Sequence, residues 1–342
     1  MRTRHLVSSL VLLLWGCGAT PAGGAGGADA SAPVDGLVSA DAAMSADAAM
    51  SADTAMSADA AVSADAAMGC ATSGVRAVRD VRYLTTPGVD ANLQRLDLYQ
   101  PVRGAGCATT PVLIWVHGGG WQTGDKANQM RDKVPWATGR GWLLVSVNYR
   151  LSPAAPSSLG ALMPGRVMYP THNDDVTAAV QWVRAHAAEY GGDPDRISLM
   201  GHSAGAGIVS QVATNPRFAT GPLRCAAVLD TEALDVAESA GGGDAQGVLY
   251  QNAFGSDPAV WREASALTHV RAGLPGFFVV TRGSAPRVAM SRRFVAALAA
   301  AGVRNQLVLA QGYDHEGVND AVGAAQDAVI TPALNSFLDG CR

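Results

Sequence analysis

The chain reads as an α/β protein whose mostly parallel central sheet is covered by helices on both faces. Three observations predict this. Short β-rich runs recur from Arg95 to Ala310, and several are continuously apolar, as strands buried on both faces must be. Segments with helical periodicity separate them, and strand alternating with helix implies parallel strands. Glycine-rich segments directly follow two of the runs, and in such sheets ligands bind at the carboxyl ends of the strands.

Of the 342 residues, the first 69 stand apart from this pattern. "MRTRH" supplies positive charge and "LVSSLVLLLW" a short apolar stretch, too brief to span a bilayer, so residues 1–16 are expected to be a signal peptide. "LWGC", Leu14 to Cys17, resembles a bacterial lipobox, although Trp15 stands where a small residue is usual. It predicts an exported protein anchored to a membrane through a lipid on Cys17; the alternative is an ordinary secretory signal with Cys17 incidental, giving a periplasmic or secreted protein. Residues 17–69 carry the repeat "SADAAM", with small variations, from Ser39 to Met68. One acid and mostly alanine per six residues cannot bury enough apolar surface to order itself, and Ser and Asp favour caps over helix interiors. A disordered tether is expected there, ahead of a domain over residues 70–342.

Within that domain, "RLDLY" (95–99), "VLIWV" (112–116), "LLVSV" (143–147), "ISLM" (197–200), "AAVL" (226–229), "FFVV" (277–280) and "QLVLA" (306–310) read as strands. "DDVTAAVQWVRAHAAEY" puts Val176, Val180, Val183 and Ala187 on one helical face, and "SRRFVAALAAAG" ends on a glycine cap at Gly302. Four cysteines lie in the domain, and an even count in an exported chain predicts disulfides. Their positions favour Cys70–Cys107 and Cys225–Cys341 among the three possible connectivities. The formal net charge of −4, with no basic run past Arg4, argues against a nucleic-acid partner.

Chemistry is legible at the ends of the strands. After "ISLM" comes "GHSAG", Gly201 to Gly205, leading into a small-residue helix. A sharp turn between strand and helix needs glycine on both sides of a nucleophile and leaves the Ser203 hydroxyl exposed. After "VLIWV" comes "HGGGW". Its glycines allow a close backbone approach, so that the N–H groups of Gly119 and Gly120, with that of Ala204, can hold an oxyanion.

"HGGGW", "VSVNYRLSP" and "DDVTAAVQWVRAHAAEYGGDPDRISLMGHSAGA" together resemble the α/β-hydrolase superfamily. The likeness is to the branch holding hormone-sensitive-lipase-like carboxylesterases, feruloyl and acetyl esterases and kynurenine formamidase, and it covers Val81 to Leu338. It implies hydrolysis of a small-molecule ester, or less often an amide, through an acyl-enzyme, with no metal or organic cofactor. In this fold the base comes after the last strand. Of seven histidines only His269 and His315 follow Ser203; His269 precedes a strand, whereas His315 follows one, so His315 is expected to be the general base.

The acid is less plain. The family pattern places it just after the "FFVV" strand, yet from Ala264 to Tyr313 there is no Asp or Glu at all. Asp230 stands directly at the end of the preceding strand, an arrangement that resembles pancreatic-type lipases. Asp235 and a Ser–His dyad without acid are the alternatives. A kynurenine-formamidase-type amidase shares every motif, and a decayed hydrolase kept as a surface binding protein would explain a missing acid. The pocket walls are expected from Arg150–Pro170 and Val236–Trp261, with Trp121 either in the wall or in the core.

Overall fold

The computed structural model describes residues 70–153 and 166–342. The expected signal segment, Cys17 and the expected tether lie outside the described residues, as do residues 154–165 of the expected pocket wall. Eight strands form one sheet: β1 (Gly74–Arg82), β2 (Arg95–Val102), β3 (Thr110–Val116), β4 (Leu143–Val147), β5 (Gly192–His202), β6 (Cys225–Leu229), β7 (Gly276–Thr281) and β8 (Asn305–Leu309). Their order is β1-β2-β4-β3-β5-β6-β7-β8. β2 runs antiparallel to β1 and to β4, and every other pairing is parallel.

The alternation of side chains divides the core between the two faces. On one face Ile114 and Val116 of β3 pack with Val176 and Val180 of α2 (Thr171–His186) and Phe294 of α7 (Ala285–Ala300). On the other, Leu113 and Trp115 pack with Ala137 of α1 (Lys133–Gly139), Val318 of α8 (His315–Ala321) and Leu334 of α9 (Ile330–Asp339). All seven residues of β3 are buried, which explains its unbroken apolar run. Each such Val, Leu or Phe contributes about 1.5–3 kcal/mol.

Between β6 and β7 the chain forms three short helices, α4 (Val236–Ala240), α5 (Ala245–Phe254) and α6 (Pro258–Glu263), with α3 (Ala204–Thr214) lying after β5. Both favoured disulfides are formed, Cys70–Cys107 and Cys225–Cys341. They sit at the amino ends of β3 and β6. Arg304 reinforces the second by donating to both of its sulfurs at 2.8 Å. Among the described residues no helix is long and apolar enough to cross a membrane.

Candidate active site

The last residue of β5 is His202, and Ser203 turns the chain into α3 with φ 55° and ψ −122°. A left-handed backbone at a non-glycine residue costs on the order of 1–3 kcal/mol, so its surroundings must hold it. The Ser203 N–H donates to the Leu229 carbonyl at 2.9 Å, and the Ser203 carbonyl accepts from Gly207 at 3.1 Å. The glycines around it are required by contact. A Cβ on Gly201 would lie 2.5 Å from the Gly205 carbonyl oxygen, and one on Gly205 would lie 2.2 Å from that of Val116. The Ser203 turn is thus packed directly on the end of β3.

From that end runs the glycine loop. Gly118 passes alongside Ser203, where an added Cβ would be 3.1 Å from the serine Cβ. Gly119 has φ 112°, and its carbonyl accepts from the N–H groups of Gln122 and Thr123, both at 3.0 Å. As the first residue of α3, Ala204 has no intrahelical acceptor for its N–H. The loop is pinned at its far end by Lys126, which pairs with Asp80 at 2.8 Å and with the buried Asp97 at 3.1 Å. Trp121 is buried, edge-on to Tyr250 and Phe254, and Leu249 of the same helix, α5, lies over Gly120. The aromatic cluster therefore packs α5 against the loop, and Trp121 belongs to the core beneath it.

His315 opens α8, and Asp314 fixes that opening by accepting from the Gly317 N–H at 2.6 Å. The imidazole Nε2 lies 2.9 Å from Ser203 Oγ, and Nδ1 lies 2.6 Å from Asp230 Oδ2. Ser203, His315 and Asp230 form one hydrogen-bonded chain. His202 packs beside His315 with ring centroids 4.5 Å apart, and its Nε2–H donates to the His315 carbonyl at 2.9 Å. Burial, then the neighbouring His315, pushes His202 down to about 3, so it remains a neutral support. Beneath α8, the buried Lys133 ammonium donates to the carbonyls of Gln129 (3.1 Å) and Asn319 (2.9 Å).

Asp230 directly follows β6, with φ 52°, and is wholly buried. Arg282 Nε donates to its Oδ2 at 2.7 Å, and Arg287 Nε to its Oδ1 at 2.8 Å. Arg287 also reaches the Asp230 carbonyl at 3.1 Å and Glu232 at 2.7 Å. Burial pushes this carboxyl up, but the hydrogen bond from His315 and the charges of Arg287, His315 and Arg282 outweigh it and hold Asp230 below the usual carboxylate range. Asp235 caps α4 by accepting from Glu238 and makes no contact with His315, and His269 donates to the Glu263 carbonyl at 2.7 Å. Ligand atoms of His202, Asp230 and His315 lie within 4.8 Å of one another. A cation there would break the His315–Asp230 hydrogen bond and face two guanidiniums, so the donor set as built disfavours one.

Sequence reading missed Arg282, Arg287, His202 and Lys133. A signal for the arginines was present: the segment without acids, where the resemblance leads one to expect a carboxylate, carries both of them.

A serine at a strand-turn-helix bend, bonded to a late histidine beside a glycine loop on a mostly parallel eight-stranded sheet, marks the α/β-hydrolase class. Comparison with known proteins narrows this. The family model BD-FAE matches residues 96–293, more than half of the chain, and the chain belongs to that family. Esterase LipQ of Mycobacterium tuberculosis is 30% identical over 267 residues, covering 74% of this chain and 60% of LipQ. LipM of the same organism is 30% identical over 246 residues, covering 67% of this chain and 54% of LipM. The chain thus spans between half and two thirds of the length of these relatives. Among solved structures, esterase B of Lactobacillus rhamnosis superposes with a TM-score of 0.63 at 20% identity, over 83% of this chain and 93% of that one. The butyrate-bound esterase Est2 of Thermogutta terrifontis gives 0.59 at 25% identity, over 77% and 93%.

Proposed function

We propose that this protein is a serine carboxylesterase acting on small or medium carboxylic esters. The observation that carries this reading is the hydrogen-bonded chain from Ser203 through His315 to Asp230. Ser203 Oγ attacks the ester carbonyl carbon as its proton passes to His315 Nε2. The oxygen that gains charge is held by the N–H groups of Ala204, Gly119 and Gly120. His315 then gives its proton to the departing alcohol as the C–O bond breaks, leaving an acyl-serine. Water, activated by the same base, releases the acid. Asp230 holds the Nδ1–H tautomer and balances the imidazolium charge. An unbroken set of these groups supports a working enzyme over a decayed one kept for binding, and the carboxylesterase names among relatives support ester over amide.

The test is a p-nitrophenyl ester series from acetate upward, beside methyl ferulate and N-formylkynurenine, with fluorophosphonate labelling of Ser203. Butyrate in the Est2 structure makes the short acyl chains the first to try. Turnover of N-formylkynurenine alone would move the protein to the amidases, and absence of labelling would remove the serine-hydrolase reading.

We further propose export and anchoring by a lipid at Cys17, with residues 17–69 as tether. The two disulfides support an oxidising compartment. Cys17→Ala should move the protein from the membrane fraction to the soluble one; persistence in the membrane would refute the anchor.

A further inference from the structure

Asp230 occupies an unfavourable place for a carboxylate that must stay charged. It is wholly buried, at the end of β6, on a left-handed backbone. Removing an ionised carboxylate from water costs several kcal/mol unless partners replace the lost hydration. One partner, the imidazole, carries no permanent charge. The rest comes from the loop and helix after β7, the segment where the family resemblance leads one to expect an acid. Here that segment supplies Arg282 and Arg287 instead.

The two contacts are divided. Arg287 takes Oδ1 and the backbone carbonyl of Asp230, and is itself held by Glu232. Arg282 takes Oδ2, the same oxygen that accepts from His315 Nδ1. With both oxygens occupied from fixed directions, the carboxylate cannot rotate away from the base.

Resting on the triad reading above, we propose that Arg282 and Arg287 are positioning residues for catalysis, fixing the Asp230 carboxylate against His315 from the loop that follows β7. They touch no reacting atom and act through Asp230. The charged and titratable groups around it are His315 and His202, the two arginines, Glu232, Tyr250 beyond Arg287 and Lys133 beneath His202. Only the arginines offer permanent positive charge in direct contact with the carboxylate, so removing one raises proton affinity across the Asp230–His315 pair.

The experiment follows one p-nitrophenyl ester across the pH range in Arg282→Met, Arg287→Met, Arg287→Lys and Asp230→Asn. Arg282→Met should lower kcat about tenfold near neutrality with KM nearly unchanged, and move the acid limb of kcat/KM up by about one pH unit. The loss should therefore shrink as pH rises. Arg287→Met should lose more, and Arg287→Lys should recover part of it by keeping the charge. Should Arg287→Met fail to fold, Arg282→Met decides the matter. Unchanged kcat and acid limb in Arg282→Met, while Asp230→Asn is inactive, would overturn this inference and leave the triad standing. So would a loss equal at every pH, which marks a structural effect alone. Full activity in Asp230→Asn would instead remove the triad reading, and this inference with it.

Discussion

Arginine–aspartate pairs occur at both ends of the sheet, and they are built differently. At the carboxyl end Asp230 is wholly buried between Arg282 and Arg287, whose side chains are 14% and 7% exposed. At the amino end Arg140 and Arg342 share Asp339, which is 56% exposed, and Arg196 meets Asp193 in partial contact with solvent. Those arginines, with Arg103, line an open cavity of about 340 Å³. Backbone strain divides the same way. The described non-glycine residues with left-handed φ are Asp80, Trp121, Gln129, Ser203 and Asp230. Four lie around Ser203, the glycine loop and His315, and Asp80 holds Lys126 at the loop's end. The disulfides, by contrast, are at the amino end. One end of the sheet carries strain and buried charge, and the other supplies covalent ties and solvated pairs.

The sharpest test of this contrast exchanges one carboxylate at each end. Asp230→Asn should lower kcat on the order of 10³–10⁴-fold with little change in KM, because orientation of the base matters in the transition state. Asp339→Asn should leave turnover unchanged and stability within about 0.5 kcal/mol, as for most exposed pairs. Collapse in Asp235→Asn with normal turnover in Asp230→Asn would transfer the role.

The amino end should matter for stability instead. Cys225–Cys341 joins residues 116 apart and Cys70–Cys107 residues 37 apart. Loop-closure entropy assigns about 5 and about 4 kcal/mol to them respectively. Denaturant unfolding of Cys225→Ala/Cys341→Ala should show the larger loss, with kcat of the folded fraction intact.

Glycine gives a graded comparison. Gly205→Ala places a Cβ 2.2 Å from a backbone oxygen, so it should abolish activity and cost several kcal/mol. Gly141→Ala, at φ 75° in open space at the amino end, should cost only about 1–2 kcal/mol and spare activity.

The smallest effect concerns Lys133, whose pKa burial pushes down to about 8 against the opposing charges of Asp320, Asp132 and Glu316. The folded value lies below the unfolded one, so the unfolded chain binds more protons between about 8 and 10.5 and stability gains from this group as pH rises. That increment should vanish from urea unfolding of Lys133→Met between neutral and alkaline pH. For Asp230 the sign is the same in a different window: its folded value is also depressed, so its contribution is present at neutrality and is lost as pH falls below about 4.

The inner strands were legible because β3, β4 and β6 are buried on both faces and read as apolar runs. Edge strand β1 was not, since most of its residues face solvent and its arginines break the run. Helix α1 was hidden by its shortness and by Pro135, and the glycine-rich chain around α4 and α5 offers no periodicity. In the site, Ser203, Asp230 and His315 stand directly after strands or at a helix start, a placement that marks Ser203 at once but leaves Asp235 as a rival to Asp230. Arg282 and Arg287 are more than fifty residues from the carboxylate they bind, and no local pattern records that meeting.

The site also has a consequence for refolding. The glycine loop leaves β3, the serine β5, the aspartate β6 and the histidine follows β8, so the assembled site requires four parallel pairings, β3–β5, β5–β6, β6–β7 and β7–β8, to be complete. Non-local pairings of this kind close late. Recovery of turnover during refolding should therefore lag behind recovery of helical circular dichroism, and esterase activity would time the final closure of the sheet.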